Sequence, residues 1–138
     1  ITPILAMLEN IYVTRPASWL HASKNGKVHA YRDRLREIAA VRSGELQRRV
    51  WYSNPIAEDG APGGNENSSS LMYNLAKYHY KGSMDLPAVA SDMPPTILQL
   101  ENDQARYFLC GPPGFMDVQR NGLVSLGVME SRIHWEGF

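Results

Sequence analysis

Hydrophobic residues follow two different spacings along the chain, and these spacings predict alternating helices and strands. Apolar residues at the three-to-four-residue spacing of a helix occupy four stretches, 3–14, 27–41, 85–93 and 115–126. Asp85 is the predicted N-cap of the third stretch, and Pro94-Pro95 predicts its end. Short apolar runs or two-residue alternation, both typical of strands, occupy 17–23, 48–53, 106–110 and 131–138. This order predicts an α/β domain with a mostly parallel sheet and helices packed against it.

Two stretches interrupt this pattern. Residues 57–70 are rich in Gly, Asn, Ser and Glu, which predicts a flexible, solvated loop in which Glu58 and Asp59 only add solvation. Residues 71–82 fit a helix or a strand, and the pattern leaves both open. The 138 residues are the length of one domain, with 57–75 as an insertion-like loop.

The chain begins on a predicted helix, whereas a domain of this kind normally opens on a strand at the centre of the sheet. Ile1 to Met7 is not expected to be a signal peptide, because no basic stretch precedes it and no cleavage signature follows it. We therefore expect a chain entered partway through a fold, with the first strand missing.

Composition excludes several classes of function. Fourteen basic residues balance fourteen acidic ones, so no broad field favours nucleic acid or an anionic membrane, and no apolar run reaches the roughly 18 residues of a membrane span. Cys110 is the only cysteine, which excludes an internal disulfide and fits a reducing cytoplasm. The four histidines lack metal-ligand spacing, so we expect no metal site.

Parallel sheets bind ligands at the carboxyl ends of their strands, which selects four places as candidate sites. They are 1–3, 21–23, 52–54 and 110–113. A helix begins at the first and at the last of them, and the free N–H groups of a helix N-terminus can bind a phosphate. The alternative for Thr2-Pro3 is simply a good helix start.

The sharpest of these candidates is Cys110, which follows a predicted buried strand and precedes Gly111-Pro112-Pro113. A glycine lets a ligand approach the backbone closely, and prolines fix the turn. A buried structural thiol is the alternative, and a covalent role is disfavoured because no basic cluster lies nearby in the sequence. We expect Cys110 to touch the ring of a bound cofactor.

Three motifs resemble the ferredoxin-NADP⁺ reductase superfamily, and the resemblance is closest to the NAD(P)-binding half of flavohaemoglobins and related flavin reductases. They are Tyr107-Phe-Leu-Cys-Gly-Pro-Pro-Gly-Phe-Met116, Ile1-Thr-Pro-Ile-Leu-Ala-Met-Leu8, and His21-Ala-Ser-Lys-Asn-Gly26 with His29-Ala-Tyr31. The terminal 132–138 resembles that family's last strand. The resemblance implies a Rossmann-like three-layer sandwich with a five-stranded sheet.

The resemblance also implies a role for each matching position. The residues expected at the pyrophosphate are Thr2 and Pro3. Those expected at the adenosine ribose are His21, Ala22, Ser23 and Lys24, and those beside the adenine are Tyr52 and Ser53. The residues expected beside the nicotinamide are Cys110, Gly111, Pro112 and Pro113, supported by Phe115 and Met116. Phe138 matches the aromatic residue that covers the flavin. Cys110 is the residue expected closest to the chemistry.

The implied function is to position NAD(P)H for hydride transfer to FAD or FMN. The implied partners are a flavin-binding domain, in the same protein or in a partner chain, and a haem or [2Fe-2S] acceptor domain. The family's flavin-binding barrel is absent from the 138 residues, so the isolated chain is expected to be inactive. NADH is favoured over NADPH because Ser23-Lys24 lacks an arginine for a 2′-phosphate. The alternatives are a regulatory nucleotide-binding domain and a hydrolase with Cys110 as nucleophile.

Overall fold

The computed structural model describes residues 16–41, 46–63 and 75–136, with side chains as far as residue 135. The described residues fall into two compact units, one up to residue 84 and one from residue 85 onward. The predicted first helix, Thr2, Pro3 and Phe138 lie outside the described residues. Within the described part, no helix is long and apolar enough to cross a membrane.

The first unit contains a three-stranded parallel sheet. Its strands are β1 (Ala17–Ser23), β2 (Leu46–Tyr52) and β3 (Tyr80–Lys81), in the order β1-β2-β3. β1 and β2 pair along their whole length, from Ala17 opposite Leu46 to Ser23 opposite Tyr52. The two predicted strands are therefore confirmed, and β3 shows that part of the ambiguous stretch is a strand. The carboxyl ends of β1 and β2 lie side by side.

The helix between β1 and β2 begins later than the pattern predicts. A 3-10 turn occupies Gly26–Val28, and Tyr31 has a positive φ of 58°, so α1 spans only Arg32–Val41. Val28 is 62% exposed, whereas Leu35 is fully buried. The prediction that residues 27–31 continue the amphipathic helix was wrong, because the Asn25 side chain accepts the Lys27 N–H at 2.9 Å and caps a separate turn.

The stretch after β2 also differs from its prediction. Ala57–Asp59 forms a 3-10 turn, and Asp59 is only 7% exposed. The expectation that Asp59 is a solvating loop charge was wrong, because its carboxylate accepts backbone hydrogen bonds that compensate for burial. Residues 64–74 of the predicted loop lie outside the described residues.

The second unit begins with two short helices. α2 spans Leu86–Val89, and its predicted N-cap, Asp85, accepts the Ala88 N–H at 3.3 Å. A 3-10 turn follows at Ala90–Asp92. α3 spans Pro95–Leu98, where the prolines were predicted to mark only a stop. Proline suits the first position of a helix, which lacks an acceptor for its N–H, so the same residues also begin a helix.

A two-stranded parallel sheet and a longer helix complete this unit. β4 spans Tyr107–Cys110, α4 spans Pro113–Ser125 and β5 spans Ile133–Glu136. The strand at β4 is confirmed, but its complete burial is not: Phe108 is 42% exposed and stacks on His134 with ring centroids 5.1 Å apart. These two residues lie on the sheet face opposite the buried Ile133.

The five strands of the described residues thus pair in parallel throughout, in one sheet of three and one of two. Parallel pairing with helices in the connections is the α/β organisation that the sequence predicts. It places His21 to Ser23 and Tyr52 at strand ends in one unit, and Cys110 at a strand end in the other.

Candidate functional site

The ends of β1 and β2 lead into two loops that are hydrogen-bonded to each other. The Ser53 N–H donates to the Ser23 carbonyl at 3.0 Å, and the Asn54 N–H donates to the Lys24 carbonyl at 2.9 Å. The Ser23 hydroxyl donates to the Asn25 carbonyl at 3.3 Å, which closes the first loop on itself. The structure therefore brings together the residues predicted for the adenosine ribose and those predicted for the adenine.

A stack of ring side chains lies beside these loops. The His21 and His29 rings are stacked with their centroids 4.4 Å apart, and the Trp19 ring is stacked with His21 at 6.3 Å. His29 Nδ1 lies 2.8 Å from the Tyr52 hydroxyl, which fixes both rings. Tyr52 in turn stacks on Tyr78 with centroids 4.7 Å apart. This ring cluster ties β1 to β2 through their side chains.

Both histidines of the cluster are neutral at pH 7. Burial, followed by the positive charge of Arg48, lowers the pKa of His21 from 6.5 to about 4. Burial, followed by His21, Arg48 and Arg32, lowers the pKa of His29 from 6.5 to about 3. A neutral imidazole can accept one hydrogen bond and donate another, so the cluster offers polar contacts to a ligand without adding charge.

The carboxylate of Asp59 joins the two loops a second time. Both of its oxygens accept the Gly26 N–H, at 3.2 and 3.3 Å, and Oδ2 also accepts the Ile56 N–H at 2.9 Å. A Cβ atom at Gly26 would overlap Oδ1 of Asp59. The carboxylate in this position therefore leaves no space for a side chain at position 26. The φ angle of Gly26 alone would not require a glycine.

The turn after β4 forms the second candidate site, within the other unit. Gly111 has a φ of 155°, and a Cβ atom there would lie 2.8 Å from Cδ1 of Phe115. Glycine thus allows the Phe115 ring to lie against the turn. The Met116 N–H donates to the Pro112 carbonyl at 3.0 Å in the first turn of α4, and Met116 is buried.

The predicted site residues therefore fall into three sets. The first set lies at the ends of β1 and β2 and comprises His21, Ala22, Ser23, Tyr52 and Ser53. The second follows β4 and comprises Cys110, Gly111, Pro112, Pro113, Phe115 and Met116. The third, Thr2, Pro3 and Phe138, lies outside the described residues. Among the described residues, no group of three or more His, Cys, Asp or Glu side chains could hold a metal ion.

Sequence reasoning missed two residues that lie beside the first set. His29 is 7% exposed and belongs to the ring cluster, although the motif His29-Ala30-Tyr31 gave a signal for it. Asp59 had no comparable signal, because an acidic residue in a Gly-rich stretch normally indicates solvation. Only the tertiary contact with Gly26 distinguishes Asp59 from Glu58, whose side chain is exposed.

Comparisons with known proteins agree with this organisation. The family model "Oxidoreductase NAD-binding domain" matches residues 1–121. The chain is 31% identical over 140 residues to a flavohemoprotein of Rhizobium meliloti strain 1021, and 32% identical over 141 residues to one of Bordetella pertussis strain Tohama I. All of the chain aligns in both cases, but it spans only 30% of the length of these relatives.

A solved structure gives the same result. The flavohem-like FAD/NAD-binding domain of a nitric oxide dioxygenase from Vibrio cholerae O1 biovar El Tor superposes with a TM-score of 0.70 and is 26% identical. The match covers 99% of this chain and 46% of that one. The similarity to the NAD(P)-binding half of flavohaemoglobins is confirmed, and the chain belongs to the oxidoreductase NAD-binding domain family.

Proposed function

We propose that this chain is the NAD(P)H-binding domain of a flavin-dependent oxidoreductase, and that it positions the nicotinamide for hydride transfer to a flavin on a separate domain. The observation that carries the proposal is the pair of hydrogen-bonded loops at the ends of β1 and β2, in a chain of the NAD-binding family. Parallel sheets of this type bind nucleotides at the carboxyl ends of their strands.

The residues at these loops fit the adenosine half of the nucleotide. Ser23 offers a hydroxyl at the end of β1, and His21 offers a neutral ring beside it. Ala22 and Ser53 are exposed at the same strand ends and leave room for a ribose and an adenine. We assign His21, Ala22, Ser23 and Lys24 to the ribose, and Tyr52 and Ser53 to the adenine.

The turn after β4 fits the nicotinamide half. Cys110 is partly buried at the end of the strand, and Gly111 has no side chain to obstruct a planar ring. Pro112 and Pro113 fix the turn, and Phe115 and Met116 support it from the first turn of α4. We assign the pyrophosphate to Thr2 and Pro3 and the cover of the flavin to Phe138, from their match to the family motifs.

The protein contributes to the reaction by orienting the nicotinamide and bringing it close to the flavin. The bound nicotinamide supplies the hydride, and this transfer needs no protein acid or base. Cys110 would contact the ring and orient it toward the acceptor, while the neutral His21 and the Ser23 hydroxyl would hold the ribose. A misplaced ring lowers the transfer rate steeply, so contacts beside the nicotinamide would set the rate, whereas those at the ribose would set the affinity.

NADH is the preferred nucleotide in this proposal. Lys24 is the only basic residue directly after β1, and the Arg32 guanidinium donates instead to the Gly26 carbonyl at 3.3 Å. A 2′-phosphate needs cationic groups that are available at the ribose, whereas a 2′-hydroxyl needs only hydrogen-bonding partners.

The separate domains are inferred from the relatives. The chain spans 30% of two flavohemoproteins, so the flavin-binding and acceptor domains belong to the remainder of the same protein or to a partner chain. A haem is the favoured acceptor, and a [2Fe-2S] group is the alternative. We place the protein in the cytoplasm.

The test is to purify the full-length protein that contains this chain and to mix it with NADH under anaerobic conditions. We expect a yellow flavin to copurify and its absorbance to bleach on mixing, with NADH more effective than NADPH. A full-length protein that binds NADH but carries no flavin domain would instead be a regulatory nucleotide-binding protein.

A further inference from the structure

The buried carboxylate of Asp59 is unusual because its hydrogen bonds reach a loop 33 positions earlier in the chain. It accepts the Gly26 N–H after β1 and the Ile56 N–H after β2, so a single side chain holds both loops. Charge-assisted hydrogen bonds of this kind are roughly twice as strong as those between neutral groups. The rest of the loop contacts are backbone hydrogen bonds between Ser53 or Asn54 and the first loop.

Both backbone polar groups of Gly26 form hydrogen bonds with charged side chains, and these two side chains have opposite charges. Its N–H donates to Asp59, and its carbonyl accepts the Arg32 Nη1–H at 3.3 Å. No Cβ fits at this position, because it would overlap Asp59 Oδ1 and lie 3.1 Å from Arg32 Nη1. The tip of the loop after β1 is therefore fixed in place by side chains and not by strand pairing, which ends at Ser23.

We propose that Asp59 is a positioning residue that sets the loop after β1 against the loop after β2, so that together they bind the adenosine half of the nucleotide. The inference rests on the proposed function. The hydrogen bonds of Asp59 described above all go to the two loops assigned to the adenosine half, so its effect is expected at that end. Loss of the carboxylate weakens nucleotide binding without changing the hydride-transfer step.

The experiment uses the full-length flavoprotein with Asp59→Asn, and Glu58→Gln as the matched control in the same turn. Asparagine has the shape of aspartate but presents an NH₂ group to one of the two N–H donors. We expect the NADH concentration for half-maximal flavin reduction to rise about tenfold in Asp59→Asn, with the limiting rate changed by less than about twofold. Glu58→Gln is expected to match the parent protein, because that side chain is exposed.

A second hydride donor distinguishes a positioning role of Asp59 from general damage to the protein. Reduced nicotinamide mononucleotide carries the nicotinamide but lacks the adenosine half, so its rate of flavin reduction is expected to be equal in the parent and in Asp59→Asn. Gly26→Ala approaches the same contact from the other loop and is expected to show the same loss with NADH alone. It provides the test if Asp59→Asn does not fold.

Two results overturn the inference. One is an unchanged NADH dependence in a folded Asp59→Asn protein, and the other is an equal loss with both donors. Failure of the proposed function is a distinct result, in which the parent protein itself contains no flavin or is not reduced by NADH.

Discussion

Burial and nearby positive charge both lower the pKa of His29. Its ring is stacked on His21 and bonded to the Tyr52 hydroxyl, and protonation of either imidazole would put charge into a buried site beside Arg48. The cluster thus contributes to stability only while both rings are neutral. Neutrality also distinguishes it from the cationic clusters that bind phosphates.

Acid is therefore expected to destabilise the domain in a defined range of pH. The unfolded histidines bind protons near pH 6.5, whereas the folded ones bind them only near 4 and 3, so the free energy of unfolding falls as the pH decreases from about 6.5 to about 4. Urea unfolding at several pH values measures this slope. In His21→Phe, one of the two titrating groups is absent and the slope should be shallower; an unchanged slope would contradict the assignment.

Cys110 provides a second prediction at the scale of one residue. It is partly buried at the end of β4, next to Gly111. In the full-length protein, Cys110→Ala is expected to slow flavin reduction by NADH about tenfold through poorer orientation of the ring, while the affinity for NAD⁺ stays within about twofold. Stopped-flow absorbance and calorimetry measure the two quantities. Equal reduction rates in the two proteins would exclude the role given to the thiol.

At the scale of elements, α4 is held against α2 through a glycine. A Cβ atom at Gly122 would lie 3.2 Å from Cδ of Pro87, so the two helices approach closely at this point. Gly114, in the first turn of the same helix, has nothing within 4 Å of its Cβ position. Substitutions at Gly114 and Gly122 therefore distinguish the effect of helix propensity from the effect of packing, because both positions are glycines in the same helix.

Gly114→Ala is expected to raise the free energy of unfolding by about 0.5 kcal/mol, since alanine is the better helix former. Gly122→Ala is expected to gain less, because the proline ring must move, and Gly122→Leu to lose about 1–3 kcal/mol through overpacking. Urea unfolding of the three variants measures both effects. A gain at position 122 equal to that at 114 would show that the two helices are not in close contact.

The sequence predicted the position of a helix or strand correctly where a single local pattern was present. β1 has the bounds that its apolar run predicts, and Asp85 caps α2 as its position before the apolar stretch predicts. The start of α1 was missed because the Asn25 cap and the positive φ of Tyr31 interrupt an otherwise helical pattern. Asp59 was missed because its partner lies 33 positions away, beyond any local pattern.

At the scale of the whole molecule, the zero net charge of the chain constrains how an anionic nucleotide is bound. With fourteen groups of each sign, no long-range field concentrates NADH near the protein. Under the proposed function, binding is expected to depend on short-range contacts at the strand ends and loops that the Asp59, Gly26 and Ser23 hydrogen bonds hold in place. Short-range contacts are screened by salt much less than distant charges are.

The affinity for NADH is accordingly expected to change by less than about threefold between low and high salt, since screening acts mainly beyond about 8 Å at physiological ionic strength. Titration of the full-length protein with NADH at several sodium chloride concentrations measures this. NADPH is expected to be more salt-dependent, because in the proposed site its additional phosphate would be bound by the exposed cation Lys24. A steep salt dependence with NADH would indicate a cationic site instead.

The contact between Gly26 and Asp59 also limits which sequences this fold can accept. The space that a side chain at position 26 would occupy is filled by a carboxylate oxygen from position 59, so the two positions share one volume. A homologue with a shorter residue at 59 can carry alanine at 26 without this overlap, whereas one with aspartate at 59 must move its carboxylate away from the loop. Substitutions at these positions should therefore be correlated among relatives, although 33 residues separate them in the chain.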